Sequence, residues 1–179
     1  MDGTQPPGRG RYPSPAVRFE LSHTFEPDPE VVARALLDPT FQTSLEGVGG
    51  LRERSVLSQE EESTGRIVRR IRCVLDVEIS GAARRFLGDK PPSWVQEEHW
   101  DPATLRWDWV IEPEVAKELL SASGHTVLSS NGAATLRQVA GEVRVHVPIY
   151  GGRVEGWIVE GITRAYNEEA QRLGDWLRG

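Results

Sequence analysis

Residues 152–178 read GRVEGWIVEGITRAYNEEAQRLGDWLR, and this stretch decides the fold. Val154, Trp157, Ile158, Ile162, Ala165, Leu173, Trp176 and Leu177 recur at helical spacing. Arg153, Glu155, Glu160, Arg164, Asn167, Glu168 and Arg172 fall mostly on the other side. The pattern predicts one long C-terminal helix. At 1.5 Å per residue it is roughly 40 Å long, enough to cross a small domain. A two-sided helix of that length needs an apolar surface to lie on.

The upstream chain supplies strands that make such a surface. Over 16–26 the sequence alternates: Val17, Phe19, Leu21, His23 and Phe25 share one face, and Arg18, Glu20, Ser22 and Thr24 the other. Asp28-Pro29 and Asp38-Pro39 each pair a helix cap with a proline at the first turn, predicting two short helices before Gly47, Gly49 and Gly50. Strand signals return over 51–58 and 64–75. In the second of these, Ile67, Arg69, Ile71, Cys73 and Leu75 share a face. Arg66, Arg70 and Arg72 form an outer basic stripe, expected to be solvated and balanced by Glu60, Glu61 and Glu62. Residues 80–87 are expected to form a short helical connection. Trp94–Trp100 and Leu105–Ile111 make a hairpin around Asp101-Pro102-Ala103-Thr104, and Asn131-Gly132 signals another between 125–130 and 133–149. Strands joined by tight turns favour an antiparallel sheet of α+β type.

The totals set outer limits. A chain of 179 residues, 38% hydrophobic and 27% charged, suits one globular domain over 16–179 behind a flexible Pro/Gly/Arg tail at 1–15. The formal charge of -6 argues against nucleic acid and against an anionic membrane surface as partner. A lone cysteine, Cys73, forbids an internal disulfide. With no apolar run of spanning length and no apolar leader, the cytoplasm is the expected location, without stable membrane insertion.

Three stretches, FELSHTFEPDPEVV with the following LLDPTF, VQEEHWDPATLRWDWVIEP, and TLRQVAGEVRVHVPIYGGRVEGWI, together with this element order, resemble the START-like superfamily (SRPBCC, helix-grip fold). Within it they are similar to an uncharacterised bacterial branch. The resemblance covers residue 16 to the end. It implies a curved antiparallel sheet of six to seven strands wrapped around the long C-terminal helix, with two short helices after the first strand and an apolar cavity between sheet and helix. It carries over no reaction and no catalytic residue, since the superfamily includes lipid carriers, hormone receptors, polyketide cyclases and co-chaperones.

The candidate site residues are polar and aromatic groups on the inward register. His23 lies between Leu21 and Phe25, Arg69 between Ile67 and Ile71, and Arg137 two residues before Val139. Each needs a partner if buried. In a cavity they would orient an otherwise apolar ligand; the plainer account is a satisfied core histidine and arginines snorkelling to the rim. Trp107, Trp109, Val139 and Trp157 are expected to line the pocket, with Trp176 pinning the helix end to the sheet and Tyr150, Gly151 and Gly152 at the mouth. Glu97, Glu98 and His99 are expected on a solvated strand edge. The four histidines stand far apart in sequence, so no metal site is expected, and no cofactor. The leading expectation is a carrier or sensor of a small hydrophobic or amphipathic molecule. A cyclase or dehydratase using His23, Glu98 or His99 is the alternative, as is a cavity-less interaction module resembling a co-chaperone.

Overall fold

The computed structural model describes residues 16–76, 88–115, 117–146 and 151–179. The tail at 1–15, the connection at 80–87 and Tyr150 lie outside the described residues. Strand β1 (Val17–Phe25) leads into helices α1 (Pro29–Leu37) and α2 (Pro39–Ser44) and a 3-10 turn (Val48–Gly50). Strands β2 (Leu51–Glu61), β3 (Ile67–Leu75), β4 (Ser93–Asp101), β5 (Arg106–Pro113), β6 (Leu120–Asn131) and β7 (Ala134–Val145) follow, and helix α3 (Gly151–Arg178) ends the chain. The sheet is antiparallel with order β1-β7-β6-β5-β4-β3-β2, so each strand pairs with its sequence neighbour except β1, which pairs with β7. This is the α+β helix-grip arrangement that the sequence implied.

Local chemistry explains the boundaries. Pro29 and Pro39 open α1 and α2, and the Asp38 side chain caps α2 by accepting from the Thr40 amide at 2.7 Å. Asp28 occupies the corresponding position before α1, but its side chain makes no capping bond. The β6–β7 turn is centred on Gly132-Ala133, one residue later than the sequence suggested, because Asn131 still pairs with Ala134 and Gly132 takes the positive φ of 66°. β2 is an edge strand with two register shifts, between Leu51 and Glu53 and between Val56 and Ser58.

The outer face of the sheet is laced with ion pairs. Arg66 meets Asp101, Arg70 meets Glu97 and Glu112, Arg72 meets Glu53 and Glu114, and Arg106 meets Asp108. The basic stripe is therefore balanced across neighbouring strands and not by Glu60–Glu62. Such exposed pairs contribute little each. The inner face carries the core in two main clusters. One joins α1, α2 and the C-terminal half of α3 to Phe25, Trp100, Trp107 and Leu128; the other joins Phe19, Trp109, Val139 and Val143 to the middle of α3.

The inward stripe of α3 is Glu155, Ile158, Val159, Ile162, Tyr166, Glu169, Leu173 and Leu177, a sound i, i+3/i+4 series. It differs from the expected one. Trp157 is 67% exposed, because it is turned about 100° from Ile158 on the helix. Trp176, 40% exposed, packs edge-on against Phe41 of α2, with ring centroids 5.5 Å apart. Glu155, assigned to the polar side, is buried and accepts from the Val145 amide at 2.6 Å. Glu168 accepts from the Gly49 amide at 2.6 Å. Hydrophobicity alone misaligned the helix because acids form part of its grip.

Candidate functional site

The sheet's inner face, under α3, is read best in rows of paired residues. One row runs Phe19, Gly141, Gly124, Trp109, Glu98, Arg69 from β1 to β3. The two glycines give the Trp109 indole its seat. A Cβ on Gly141 would lie 2.8 Å from Trp109 Cη2 and 2.9 Å from Phe19 Cζ, distances real side chains do not tolerate. Phe19 stacks on the same indole at 6.3 Å. Trp109 and Val139 thus share the central cluster, whereas Trp107 pairs with Trp100 at 4.0 Å in the cluster nearer α1 and α2. The buried Trp109 Nε1–H has no hydrogen-bond partner.

At the far end of the row Arg69 is 3% exposed and fully occupied. Its Nε and Nη2 donate to Glu98 Oε2, and Nη1 donates to the Leu36 carbonyl at 2.9 Å. Gln96 Nε2 donates to the other Glu98 oxygen at 2.7 Å. The Leu36 carbonyl also accepts from Gln42 Nε2 at 2.7 Å, and Gln42 Oε1 accepts from Arg54 Nε and Nη2 at 3.2 and 2.6 Å. A continuous chain of hydrogen bonds therefore joins β2, α2, the end of α1, β3 and β4. Glu98 belongs to this buried chain and not to a solvated edge. Its neighbours Glu97 and His99 do face solvent and pair with each other.

A second polar cluster holds α3. Arg137, 1% exposed, donates through Nη1 to Glu169 Oε1 at 2.6 Å and through Nη2 to His23 Nδ1 at 3.2 Å and the Tyr166 carbonyl at 3.3 Å. Its guanidinium lies over the Phe25 and Tyr166 rings. Since His23 Nδ1 accepts, its proton sits on Nε2 and is donated to Asn167 Oδ1 at 2.9 Å. Burial first, and then the Arg137 charge, holds the His23 pKa below its ordinary value of 6.5. Burial pushes the Tyr166 phenol and the Cys73 thiol up.

The His23 shift makes a prediction. The unfolded chain takes up a proton at pH values where the folded chain still resists it, so folding stability holds above pH 6.5 and falls as pH drops below it. The facing charges are Arg137 and Glu169; the lowered carboxyls Asp108 and Glu114 act only nearer their own lower range. Urea midpoints measured between pH 7.5 and 5.5, a range of roughly 2 units around the histidine value, should fall for the wild type and stay flat for His23→Gln. Equal slopes would remove His23 from the account.

The structure thus brings His23 and Arg137 together, places Arg69 in a separate network, and turns Trp157 outward. Gly151 and Gly152 begin α3. Arg54, Gln42, Tyr166 and Glu169 were not anticipated; the one signal for Arg54 was its two-residue spacing to Val56, since both pair with inward residues of β3. An open groove of about 790 Å³ runs between the end of β1 and the second half of α3, lined by His23, Phe25, Asn167, Gly174 and Arg178 among others. Among the described residues no group of three or more metal-ligating side chains converges, and no helix is long and apolar enough to cross a membrane.

Residues 20–177 match the model of a family described as "Protein of unknown function (DUF2505)". The chain belongs to this family. No curated protein matches the chain. Solved structures place DUF2505 in a wider fold group. The chain is similar to TTHA0849 of Thermus thermophilus, with a TM-score of 0.66, 18% identity, and coverage of 90% of this chain and 97% of the other. It is similar to the Zhui aromatase/cyclase of Streptomyces sp. R1128, with a TM-score of 0.65, 11% identity and coverage of 91% and 94%. A START superfamily protein of Mycobacterium smegmatis aligns with a TM-score of 0.54, 13% identity and coverage of 87% and 98%. At these identities the likeness is one of fold: this DUF2505 chain is START-like.

Proposed function

We propose that this DUF2505 protein is a carrier or sensor that holds a small hydrophobic or amphipathic molecule between the inner face of the sheet and α3. The observation that carries the reading is uneven burial along the helix. Leu173, in its second half, has 0% exposure, but Ile158, Val159, Ile162 and Tyr166, though inward, keep accessible surface. So do Leu21, Val56, Trp94, Ile111 and Leu120 on the facing strands. Apolar side chains that point inward and stay accessible border space that a ligand's apolar surface would fill, at roughly 25 cal/mol for each Å² removed from water. The three groups a cyclase-type reaction was expected to use are each committed: His23 to Asn167 and Arg137, Glu98 to Arg69, and His99 to Glu97 at the surface. Binding without chemistry is the simpler reading.

A thermal-shift panel of fatty acids, fatty alcohols, sterols and aromatic polyketides tests it, beside native mass spectrometry for a copurified molecule. A ligand at 100 times its Kd adds about 2.7 kcal/mol, hence a rise of about 5–10 °C in Tm for a chain of this size. A flat panel with no retained mass would overturn the proposal.

A further inference from the structure

Arg54 stands apart from the other interior cations. Arg69 has Glu98, and Arg137 has Glu169. Arg54 pairs across from Cys73 on the inner face, and its hydrogen bonds go to neutral groups, Gln42 Oε1 twice and Cys73 Sγ at 3.8 Å. Among the described residues no carboxylate lies within ion-pairing distance of it. The acids whose charge reaches it, Glu169 and Glu98, are already engaged. A guanidinium in such surroundings without a counter-ion is costly, and its planar fork keeps N–H donors to spare for a carboxylate. The side chain is only partly buried, as are Val56 beside it and Trp94 across β3, so the inner face keeps accessible surface at this end of the sheet.

We propose that Arg54 receives the head group of the ligand, and that the ligand is an amphiphile with a single carboxylate whose apolar body lies along Val56, Trp94 and Ile111 toward the middle of α3. This rests on the ligand-binding reading above and adds the sign of the ligand's charge. Gln42 and Cys73 hold the guanidinium in place without neutralising it, and the thiol is itself kept protonated by burial. The two neighbouring arginines each already hold a carboxylate, Arg69 that of Glu98 and Arg137 that of Glu169, although the buried Arg137 Nε has no partner.

The test compares dodecanoate with dodecanol, two probes of equal chain length, by calorimetry on the full chain below their aggregation limits. The wild type should bind dodecanoate about 10-fold tighter or more, the factor expected of a charge-assisted hydrogen bond. Arg54→Gln should lose most of that preference, chiefly through weaker binding of dodecanoate, and Arg54→Lys should keep part of it. Equal affinities in the wild type, or a preference that survives in Arg54→Gln, overturn the assignment and leave ligand binding standing. Failure of both probes to bind overturns the assignment, while the binding reading stands or falls on the wider panel above. A readout without any variant guards against misfolding of Arg54→Gln: bound carboxyl-labelled dodecanoate, followed by NMR, should titrate below the free acid. Titration at or above the free value overturns the assignment.

Discussion

Arg69→Met should lower the unfolding free energy by about 3–5 kcal/mol, measured by urea or guanidinium titration. The pair it breaks is enclosed, with Arg69 at 3% and Glu98 at 7% exposure. Removing the cation strands a carboxylate that retains only Gln96, and removes one of the two donors to the Leu36 carbonyl at the end of α1. The size of the loss comes from the abandoned charge more than from the lost attraction. The double replacement Arg69→Met with Glu98→Leu should therefore recover most of it, to within about 1–2 kcal/mol of the wild type, since the surrounding Trp109 and Leu36 accept an apolar pair. A single variant losing less than about 1 kcal/mol, or a double variant no better than the single, would show that water reaches the pair.

The second large effect is expected at Gly49. Its φ of 63° and ψ of 17° lie in the left-handed region, and a Cβ built there falls 2.5 Å from the Ala165 Cβ on α3. Gly49→Ala should cost about 1–2 kcal/mol in backbone strain and another 1–3 kcal/mol in overpacking, about 2–5 kcal/mol together. The two parts separate in a double-mutant cycle with Ala165→Gly, which removes the 2.5 Å clash, although the Ala165 Cα stays 3.1 Å away, and leaves the backbone strain. A favourable coupling of about 1–3 kcal/mol is expected. Zero coupling would mean that the 3-10 turn and the helix do not touch as described. The Glu168 carboxylate on the Gly49 amide makes this contact the mid-helix anchor, so its loss should also loosen the inward residues around Ile162 and Tyr166.

Much of this architecture was legible in the chain. Alternation in 17–25 and 105–111, the two Asp-Pro starts and the long terminal periodicity each signal an element that forms. His23, Arg69 and Arg137 stand out because charge on an apolar register is unusual, and each is hydrogen-bonded in the structure, with only the Arg137 Nε left without a partner. What the sequence hid was the rotation of α3 and the identity of those partners. Glu155, Glu168 and Glu169 look like solvated surface on a helical wheel, yet each answers a donor from another element: the Val145 amide, the Gly49 amide and Arg137. Only three-dimensional proximity reveals such pairs, for they are separated by 10 to 119 residues. Trp157 misled in the opposite sense, because apolarity suggested burial where the helix turns outward. Arg54 escaped notice because the register shifts in β2 break the simple alternation that would have flagged it.

Those same shifts bear on how the molecule meets its neighbours. An exposed strand margin offers a template onto which another extended chain can zip, and repeated zipping ends in fibrils. Along β2 the ladder loses step twice within eight residues, at Leu51/Glu53 and at Val56/Ser58. An incoming strand that matched one segment would present its amides out of phase with the next. The price of a slightly irregular border is thus protection against runaway stacking at high cellular concentration.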